Sequence, residues 1–269
     1  MMAAQSLISV DQRGAIRMLF LARADKRNAM TPEMLSALIE HIERFTQDQG
    51  LVQGSALVIG GEGRMFCSGF DLALCAAVPD ACAELLTLLS RGIVALRRCP
   101  APTAIAATNA AIAGAAALCG GADVAVGNTG GTYGYPVLRL GLSPAVSVPF
   151  MAARMEQGAV RTRALDVGLL DGLSARDVGL LTHVGQWPED VFPKALAQVT
   201  ALANKPRAAF AATKQWLAEL DGANDAARVA AGLSASIGTA SNAEMAERLA
   251  IALAPKAASS HTSPSKSTP

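Results

Sequence analysis

Hydrophobic positions in the first part of the chain follow strand and helix periods in turn. Two short apolar runs within residues 7–21 flank a polar turn, a pattern that predicts a β-hairpin. Thr31 and Pro32 are an N-cap residue and a favoured first-turn proline, and after them apolar side chains recur at helical spacing to about residue 49. A short apolar run at 55–59, bounded by glycines, then predicts a buried strand.

The same alternation continues to residue 126, after which helical spacing dominates. The next predicted elements are a helix at 80–98, a strand at 103–107, a helix at 110–122 and a strand at 123–126. Beyond residue 141 the predicted helices lie near 144–156, 159–170, 174–180, 188–203, 206–220, 224–236 and 242–254. We therefore expect one core with an α/β half and a helical half, followed by a polar, disordered tail at 256–269.

Composition and charge exclude several classes of protein. Of the 269 residues, 51% are hydrophobic and 17% charged, and the formal net charge is +1, so a large core is expected but no basic surface for nucleic acid. The five cysteines lie in apolar segments without a CxxC pair, which indicates reduced thiols in a cytoplasmic protein. The three histidines are isolated from other candidate ligands, so we expect no metal site. The uncharged run at 99–122 is predicted to form a strand and a helix rather than a membrane span.

Three loops between predicted strands and helices carry the candidate chemistry. The first, at 23–29, has three cations in five residues, which is typical of either a phosphate-binding loop or a solvated turn. The second, at 60–72, contains G-x-G, but Phe66 replaces the third glycine of a dinucleotide-binding fingerprint. The third, at 109–116, leads into a helix of small residues. Its free N–H groups can polarise a carbonyl, although close packing also favours such residues.

In this order and spacing, the loops resemble motifs of the crotonase (enoyl-CoA hydratase/isomerase) superfamily. The segment that precedes the first helix in the family resembles RADKRNA at 23–29, and the Phe-Cys-Ala-Gly-x-Asp-Leu motif resembles FCSGFDL at 66–72. A third motif is matched more loosely by ATNAAIAGAA at 107–116. The similarity continues through YGYP at 133–136 and covers about residues 5–220.

This resemblance implies a fold and an assembly. The expected architecture is an α/β spiral of ββα units over 1–200, followed by a C-terminal helical region over 201–255. By the same resemblance, the helical region builds a homotrimer or a dimer of trimers. Alanine-rich helices near the C-terminus would leave an apolar face exposed on a monomer, which agrees with that expectation.

The resemblance also implies a binding site for the coenzyme A part of an acyl-CoA thioester, with no permanently bound cofactor. The positions matching the coenzyme A site are Arg23, Lys26, Ala29, Ser68, Gly69, Asp71 and Leu72. Two backbone N–H groups would form an oxyanion hole for the thioester oxygen. By position in the motifs they belong to Phe70 and Ala115, with Gly114 as the alternative to Ala115.

The chain departs from the family at the acid/base positions. Hydratases of the family use two glutamates, and the matching positions hold Leu118 (or Ala117 under a shifted alignment) and Val137. The single acid of isomerase and dehalogenase relatives falls on Ala145. None of these side chains can transfer a proton.

Other titratable or nucleophilic groups remain as candidates. They are Asp71, Asp80, Glu84, Tyr133, Tyr135, Cys67 and Ser68. We interpret the first as a turn cap and the other two carboxylates as solvated. The tyrosines can donate a proton or simply satisfy hydrogen bonds, and the cysteine or serine lacks a histidine base in the motif segments.

Three functions follow from these observations. The first is an acyl-CoA-binding protein that retains the oxyanion hole but has little hydratase activity. The alternative is an active acyl-CoA lyase or isomerase that uses unusual proton-transfer residues, and a more remote one is a thioester hydrolase. No nucleic-acid or membrane partner is expected.

Overall fold

The structure is a computed structural model that describes residues 6–48, 50–222 and 224–254. Within these ranges the strands are β1 Ile8–Arg13, β2 Ile16–Leu21, β3 Ala56–Gly61, β4 Thr103–Ala106, β5 Ala110–Ile112, β6 Val124–Asn128, β7 Thr132–Gly134 and β8 His183–Gly185. The helices are α1 Pro32–Gln47, α2 Leu72–Ala77, α3 Ala81–Arg98, α4 Gly114–Gly121, α5 Val148–Ala152, α6 Gln157–Leu165, α7 Gly172–Asp177, α8 Pro188–Ala203, α9 Arg207–Leu220, α10 Ala226–Ala240 and α11 Ala243–Leu253. Two short 3-10 turns lie at Ala24–Lys26 and Pro136–Leu140.

The strands form a large sheet and a small one. The large sheet has the order β1-β2-β3-β4-β6-β8, in which β1 and β2 form an antiparallel hairpin and every later pairing is parallel. The small sheet is the parallel pair β5 and β7. Parallel strands need long crossover connections, and here helices α1 and α3 provide two of them.

The central strands β3, β4 and β6 of the large sheet are buried on both faces, as expected for parallel strands covered by helices, whereas most of the edge strand β1 is exposed. Alternate residues of β3 divide between two clusters: Leu57 and Ile59 pack in the cluster that contains the buried faces of α1, α3 and α4. Ala56 and Val58 pack on the other face, where α8 contributes Val191 and three further buried apolar side chains. The two-residue period of the strand therefore explains why one short apolar run serves two cores.

Most of the predicted elements are confirmed. The hairpin, α1 and the strand near 55–59 are present, and the Thr31 hydroxyl accepts a hydrogen bond from the Met34 N–H at 3.3 Å, as an N-cap does. The helices predicted at 188–203 and 206–220 are also present.

Three secondary-structure expectations are corrected. The predicted helix at 110–122 begins only at Gly114, because Ala110–Ile112 pairs with β7. The region after residue 141 is not wholly helical, since His183–Gly185 adds the last strand of the large sheet beside β6. Helix α2 was not predicted. Strands β5 and β8 and helix α2 are short, and long-range pairing or packing rather than local periodicity stabilises them.

The boundary between the core and the C-terminal helices stays a prediction, and the predicted disordered tail lies outside the described residues. No helix in the described ranges is long and apolar enough to cross a membrane. The uncharged run at 99–122 contains β4, β5 and α4. No cluster of three or more potential metal-ligating side chains occurs among residues 6–48, 50–222 and 224–254.

Candidate acyl-CoA site

Backbone hydrogen bonds join the three loops that the sequence singled out. The Met30 N–H donates to the Gly69 carbonyl at 2.8 Å, and the Met30 carbonyl accepts from the Asp71 N–H at 2.9 Å. The second loop meets the third through the Phe66 N–H, which donates to the Thr108 carbonyl at 2.8 Å. The structure therefore brings together three segments that are distant in sequence, and Phe70 lies between the first two contacts.

Arg23 ties the first loop to the second. Its guanidinium donates to the Ala29 carbonyl at 2.6 Å and to the Asp71 carboxylate at 3.0 Å, and both side chains of the ion pair are 19% exposed. The other carboxylate oxygen of Asp71 accepts from the Leu74 N–H at 3.2 Å and caps α2. The sequence predicted a turn cap at Asp71 but not the helix that it caps. Burial would raise the pKa of Asp71, but the hydrogen bonds from Arg23 and from Leu74 hold it below its usual value.

Asn28 holds the first loop in its conformation, a role that sequence reasoning missed. Its side-chain amide donates to the carbonyls of Glu62 and Met65, both at 2.9 Å, and its side-chain oxygen accepts from the Arg23 N–H at 2.9 Å. The residue is fully buried and has φ 53°, a conformation that asparagine tolerates better than most residues. The available signal in the sequence was an asparagine within a cationic loop, but its burial is visible only in the structure.

A largely apolar cavity opens where the loops meet. Its lining residues are Ser68, Phe70, Leu72, Leu86, Leu89, Ile112, Ala113, Gly114, Ala117, Tyr135, Pro136, Val137, Leu140, Leu142, Ser143, Pro144, Val146 and Ser147. Helices α2, α3 and α4 and the turn at Pro136–Leu140 form its walls. Ser68 and Leu72, both expected at the coenzyme A site, therefore lie at this cavity.

Unpaired backbone donors lie beside the cavity. The Phe70 N–H has no acceptor within the described part of the chain, and neither do those of Gly114 and Ala115 in the first turn of α4. Phe70 and Gly114 line the cavity, whereas the Ala115 side chain is buried in the core. A methyl group on Gly114 would lie 2.8 Å from the Phe70 ring, so glycine allows this close approach.

The backbone just before α4 is strained. Ala113 has φ 55° and ψ −116°, a combination rare for any residue with a side chain. Its N–H donates to the Gly134 carbonyl at 2.8 Å, which holds the strand end in place. Strain of this kind is typical of functional sites, where it orients backbone groups towards a ligand.

Comparison with known proteins identifies the family. The sequence profile described as "Enoyl-CoA hydratase/isomerase" matches residues 11–247. The chain belongs to the enoyl-CoA hydratase/isomerase family. Among its relatives, "Probable enoyl-CoA hydratase EchA14" of Mycobacterium tuberculosis is 32% identical over 210 residues, which cover 77% of this chain and 79% of that protein.

Solved structures agree on the fold. An enoyl-CoA hydratase/isomerase from Mycobacterium paratuberculosis superimposes with a TM-score of 0.80 at 22% identity, covering 93% of this chain and 99% of that one. An enoyl-CoA hydratase, EchA3, from Mycobacterium ulcerans gives a TM-score of 0.76 at 24% identity over 87% of this chain and 99% of that one. The predicted crotonase-like fold with a C-terminal helical region is thereby confirmed.

In this member of the enoyl-CoA hydratase/isomerase family, apolar side chains stand at the positions where the sequence resemblance predicts the acids of a hydratase. Ala117 and Val137 both line the cavity. Leu118 is buried and approaches the Gly92 backbone of α3, with its Cδ2 3.6 Å from the position of an added methyl group. Of the two positions that the sequence left open, Ala117 lines the cavity and Leu118 does not. Ala145 is not among the lining residues.

The polar side chains of the cavity are hydroxyls. Carboxylates, histidines, lysines, arginines and cysteines are absent from the lining that residues 6–48, 50–222 and 224–254 provide. The Ser147 hydroxyl donates to the Pro144 carbonyl at 2.9 Å, and the Ser143 oxygen accepts from the Ala145 N–H at 3.3 Å. The Tyr135 hydroxyl is buried without a partner in the described part of the chain, and burial raises its pKa.

The other candidate groups have structural roles or lie in solvent. The Tyr133 hydroxyl accepts from the Asn128 N–H at 2.9 Å and donates to the Ala107 carbonyl at 3.0 Å, so it joins two strand ends. Asp80 and Glu84 are exposed, as expected. Cys67 is buried outside the cavity lining, and burial raises the pKa of its thiol to about 12.

A second, open groove of about 1100 Å³ lies beside the first loop. It is lined by Ala24, Arg27, Glu62, Gly63, Arg64, Met65, Asn109 and Gly130. Lys26 and Arg27 are exposed, and so is Arg64 of the second loop. These three cations make no ion pair within the described ranges and lie near the expected phosphate position. The Arg23 guanidinium, by contrast, is paired with Asp71.

Proposed function

We propose that the chain binds acyl-CoA thioesters and polarises the thioester carbonyl with the N–H groups of Phe70 and of Ala115 or Gly114, without hydrating the acyl group efficiently. The observation that carries this proposal is a cavity with unpaired backbone donors and, among the described residues, no carboxylate, histidine, lysine, arginine or cysteine in its lining. Backbone donors act strongly there because the apolar lining excludes water and lowers the local dielectric.

The missing acid and base determine what the site can catalyse. Hydration needs one group to take a proton from water and one to protonate the α-carbon, and general acid/base groups contribute roughly 10²–10⁴-fold each. Methyl and isopropyl groups at Ala117 and Val137 cannot do either. Carbonyl polarisation alone would stabilise an enolate-like oxygen but would leave both proton transfers to solvent.

The acyl group is expected to be aliphatic and uncharged. Most of the cavity wall is aliphatic, as at Leu72, Leu86, Leu89 and Val146. The hydroxyls of Ser143 and Ser147 already form hydrogen bonds with backbone groups. A carboxylate on the acyl chain would lose its hydration without gaining a partner, and the penalty for such a buried ion is about several kcal/mol even after relaxation.

The coenzyme A phosphates are placed near the exposed cation Lys26, with the adenine beside Ala29. Arg23 contributes by holding the loop, and Ser68, Gly69, Asp71 and Leu72 provide the second side of the site. Replacing Lys26 by glutamate should weaken acyl-CoA binding and reduce its dependence on salt, because one attractive charge becomes repulsive. Lys205→Glu, at an exposed position on a different face, is the matched control. Equal affinity of the two variants would remove Lys26 from the site.

Two assays together test the function. Calorimetry with a saturated, non-hydratable acyl-CoA should show binding, while crotonyl-CoA hydration, followed by loss of the conjugated enoyl absorbance, should be negligible. Hydration at an ordinary enzymatic rate of about 10 per second or faster would refute the proposal. An absence of acyl-CoA binding would also refute the proposal, because binding is its first part.

One observation favours the alternative of an active lyase or isomerase. Tyr135 lines the cavity, and its hydroxyl is buried and has no hydrogen-bond partner within the described residues. The proton of this hydroxyl is therefore not committed to another group. If any turnover is found, Tyr135→Phe should abolish it. A hydrolase has less support, because Cys67 is buried outside the cavity lining and Ser68 has no histidine among the cavity residues.

We also propose a homotrimer or a dimer of trimers in the cytoplasm. Helix α10 packs against α3 and α11 against α2, yet Trp216, Leu217 and Leu220 on α9 and Ile251 on α11 remain exposed on a single chain. Such apolar positions favour association. Sedimentation that shows a monomer at micromolar concentration would contradict the assembly.

A further inference from the structure

Two cysteines that the acyl cavity does not use face each other across the turn between α2 and α3. Cys75 lies on α2 and Cys82 in the first turn of α3, and the two thiols interact, each shifting the pKa of the other. Both line an open groove of about 1090 Å³, whose far wall is formed by Met245 and Leu249 of α11 among others. Cys75 is partly exposed and Cys82 is 6% exposed at the groove, whereas the remaining three cysteines are buried and do not line it.

The two thiols have unequal environments. The hydrogen bond from Cys75 lowers the pKa of Cys82 despite the opposing effect of burial, and the N-terminus of the 18-residue helix α3 also favours a thiolate there. For Cys75, the hydrogen bond to Cys82, burial and the nearby Asp71 carboxylate all raise the pKa. Both the interaction with Cys75 and the helix N-terminus therefore favour the thiolate on Cys82.

We propose that Cys75 and Cys82 are a redox-active pair that a hydroperoxide oxidises to a disulfide. The Cys82 thiolate attacks one peroxide oxygen and the O–O bond breaks, which leaves a sulfenic acid on Cys82 and releases an alcohol or water. The Cys75 sulfur then displaces hydroxide from the Cys82 sulfur and gives up its proton, so that a second molecule of water forms. The two sulfurs together lose two electrons and the peroxide gains two.

The disulfide would connect two walls of the acyl cavity. Helix α2 begins two residues after Phe70 and contributes Leu72 to the cavity, and α3 contributes Leu86 and Leu89. A covalent bond between the helices would restrict their relative motion, and this part of the inference rests on the proposed function. We expect oxidation to slow acyl-CoA dissociation by about fivefold, near the lower end of coupling between sites.

Peptide mapping tests the disulfide without any ligand. Reduced protein is treated with hydrogen peroxide and digested with a protease that cuts after Asp and Glu. Cleavage at Asp71, Asp80 and Glu84 then separates the peptide 72–80 from the peptide 81–84. A joined product lighter by two hydrogen atoms than the sum of the two peptides is expected. Recovery of separate, unoxidised peptides from folded protein would overturn the proposal.

Single variants assign the roles of the two sulfurs. Cys75→Ser should accumulate a sulfenic acid on Cys82 that a 1,3-diketone such as dimedone traps, whereas Cys82→Ser should give no trapped adduct on Cys75. Cys99→Ala, at a buried cysteine outside the groove, should behave as the parent chain. Trapping on Cys75 in place of Cys82 would contradict the assignment.

The binding arm separates this inference from the proposed function. Unchanged dissociation in the oxidised protein would overturn the coupling to the cavity. An absence of acyl-CoA binding in both redox states would refute the proposed function and the coupling together, whereas the joined peptides would still establish the disulfide.

Discussion

Replacing Arg23 by methionine should loosen the backbone around Phe70. Methionine retains much of the aliphatic length of the side chain but removes the guanidinium, and with it the hydrogen bonds to the Ala29 carbonyl at 2.6 Å and to Asp71 at 3.0 Å. These contacts flank the Met30 segment, whose backbone bonds hold Gly69 and Asp71 on either side of Phe70. The expected results are lower stability and weaker acyl-CoA binding.

The size of the stability loss follows from the exposure of the pair. A hydrogen bond to a charged group contributes about 1.5–3 kcal/mol, and losing one partner of a fully buried pair costs about 3–5 kcal/mol. The Arg23 and Asp71 side chains are each 19% exposed, so solvent partly compensates the remaining carboxylate. Asp71 also keeps its contact with the Leu74 N–H. We therefore expect a loss of about 2–3 kcal/mol in the free energy of unfolding.

The pH dependence gives an independent check. The pKa of Asp71 is lower in the folded chain than in the unfolded one, so its contribution is present above the unfolded value and is lost as the pH falls through the folded value. The difference in the free energy of unfolding between the parent chain and Arg23→Met should therefore become smaller below about pH 4.

Urea unfolding at one fixed protein concentration measures these differences. The control is Asp71→Asn, which keeps a capping oxygen for α2 but removes the charge, together with the double variant. Because the two side chains interact directly, the double variant should be less destabilised than the sum of the single ones by about 1 kcal/mol or more. Additive effects, or a loss under about 0.5 kcal/mol for Arg23→Met, would refute the reasoning.

Three further predictions concern the cavity and its support. Installing glutamate at both Ala117 and Val137 should produce measurable crotonyl-CoA hydration and should lower the free energy of unfolding by about a few kcal/mol. Glutamate at both Leu118 and Val137 should not produce hydration, because Leu118 lies against α3. Gly114→Ala should weaken acyl-CoA binding measured by calorimetry, since the added methyl group would meet the Phe70 ring at 2.8 Å. Binding equal to the parent chain would contradict that close approach. Tyr133→Phe should lower the unfolding midpoint in urea by the equivalent of about 1–3 kcal/mol, because the Asn128 N–H and the Ala107 carbonyl lose their buried partner. An unchanged midpoint would show that the hydroxyl is dispensable.

The sequence by itself determined the elements that have a strong period or distinct end signals. The Thr31-Pro32 signal and the helical spacing after it placed α1, and the apolar run before Gly60 placed β3. Through their resemblance to the family, the motifs also predicted which loops carry chemistry and predicted apolar side chains at the acid/base positions. These conclusions needed no contact between distant residues, because local periodicity, capping chemistry and residue type are all properties of short segments.

Tertiary structure alone decided which residues face the cavity and which pairs meet. Every residue of α4 is buried, so no hydropathy pattern could distinguish Ala117, which lines the cavity, from Leu118, which packs against α3. The cationic first loop did not reveal that Arg23 turns inward to Asp71, 48 residues further along the chain. Strands β5 and β8 have three residues each, and pairing with distant strands stabilises them. Side-chain direction on a uniformly apolar helix, and pairing across long separations, depend on how the whole chain packs rather than on any local pattern.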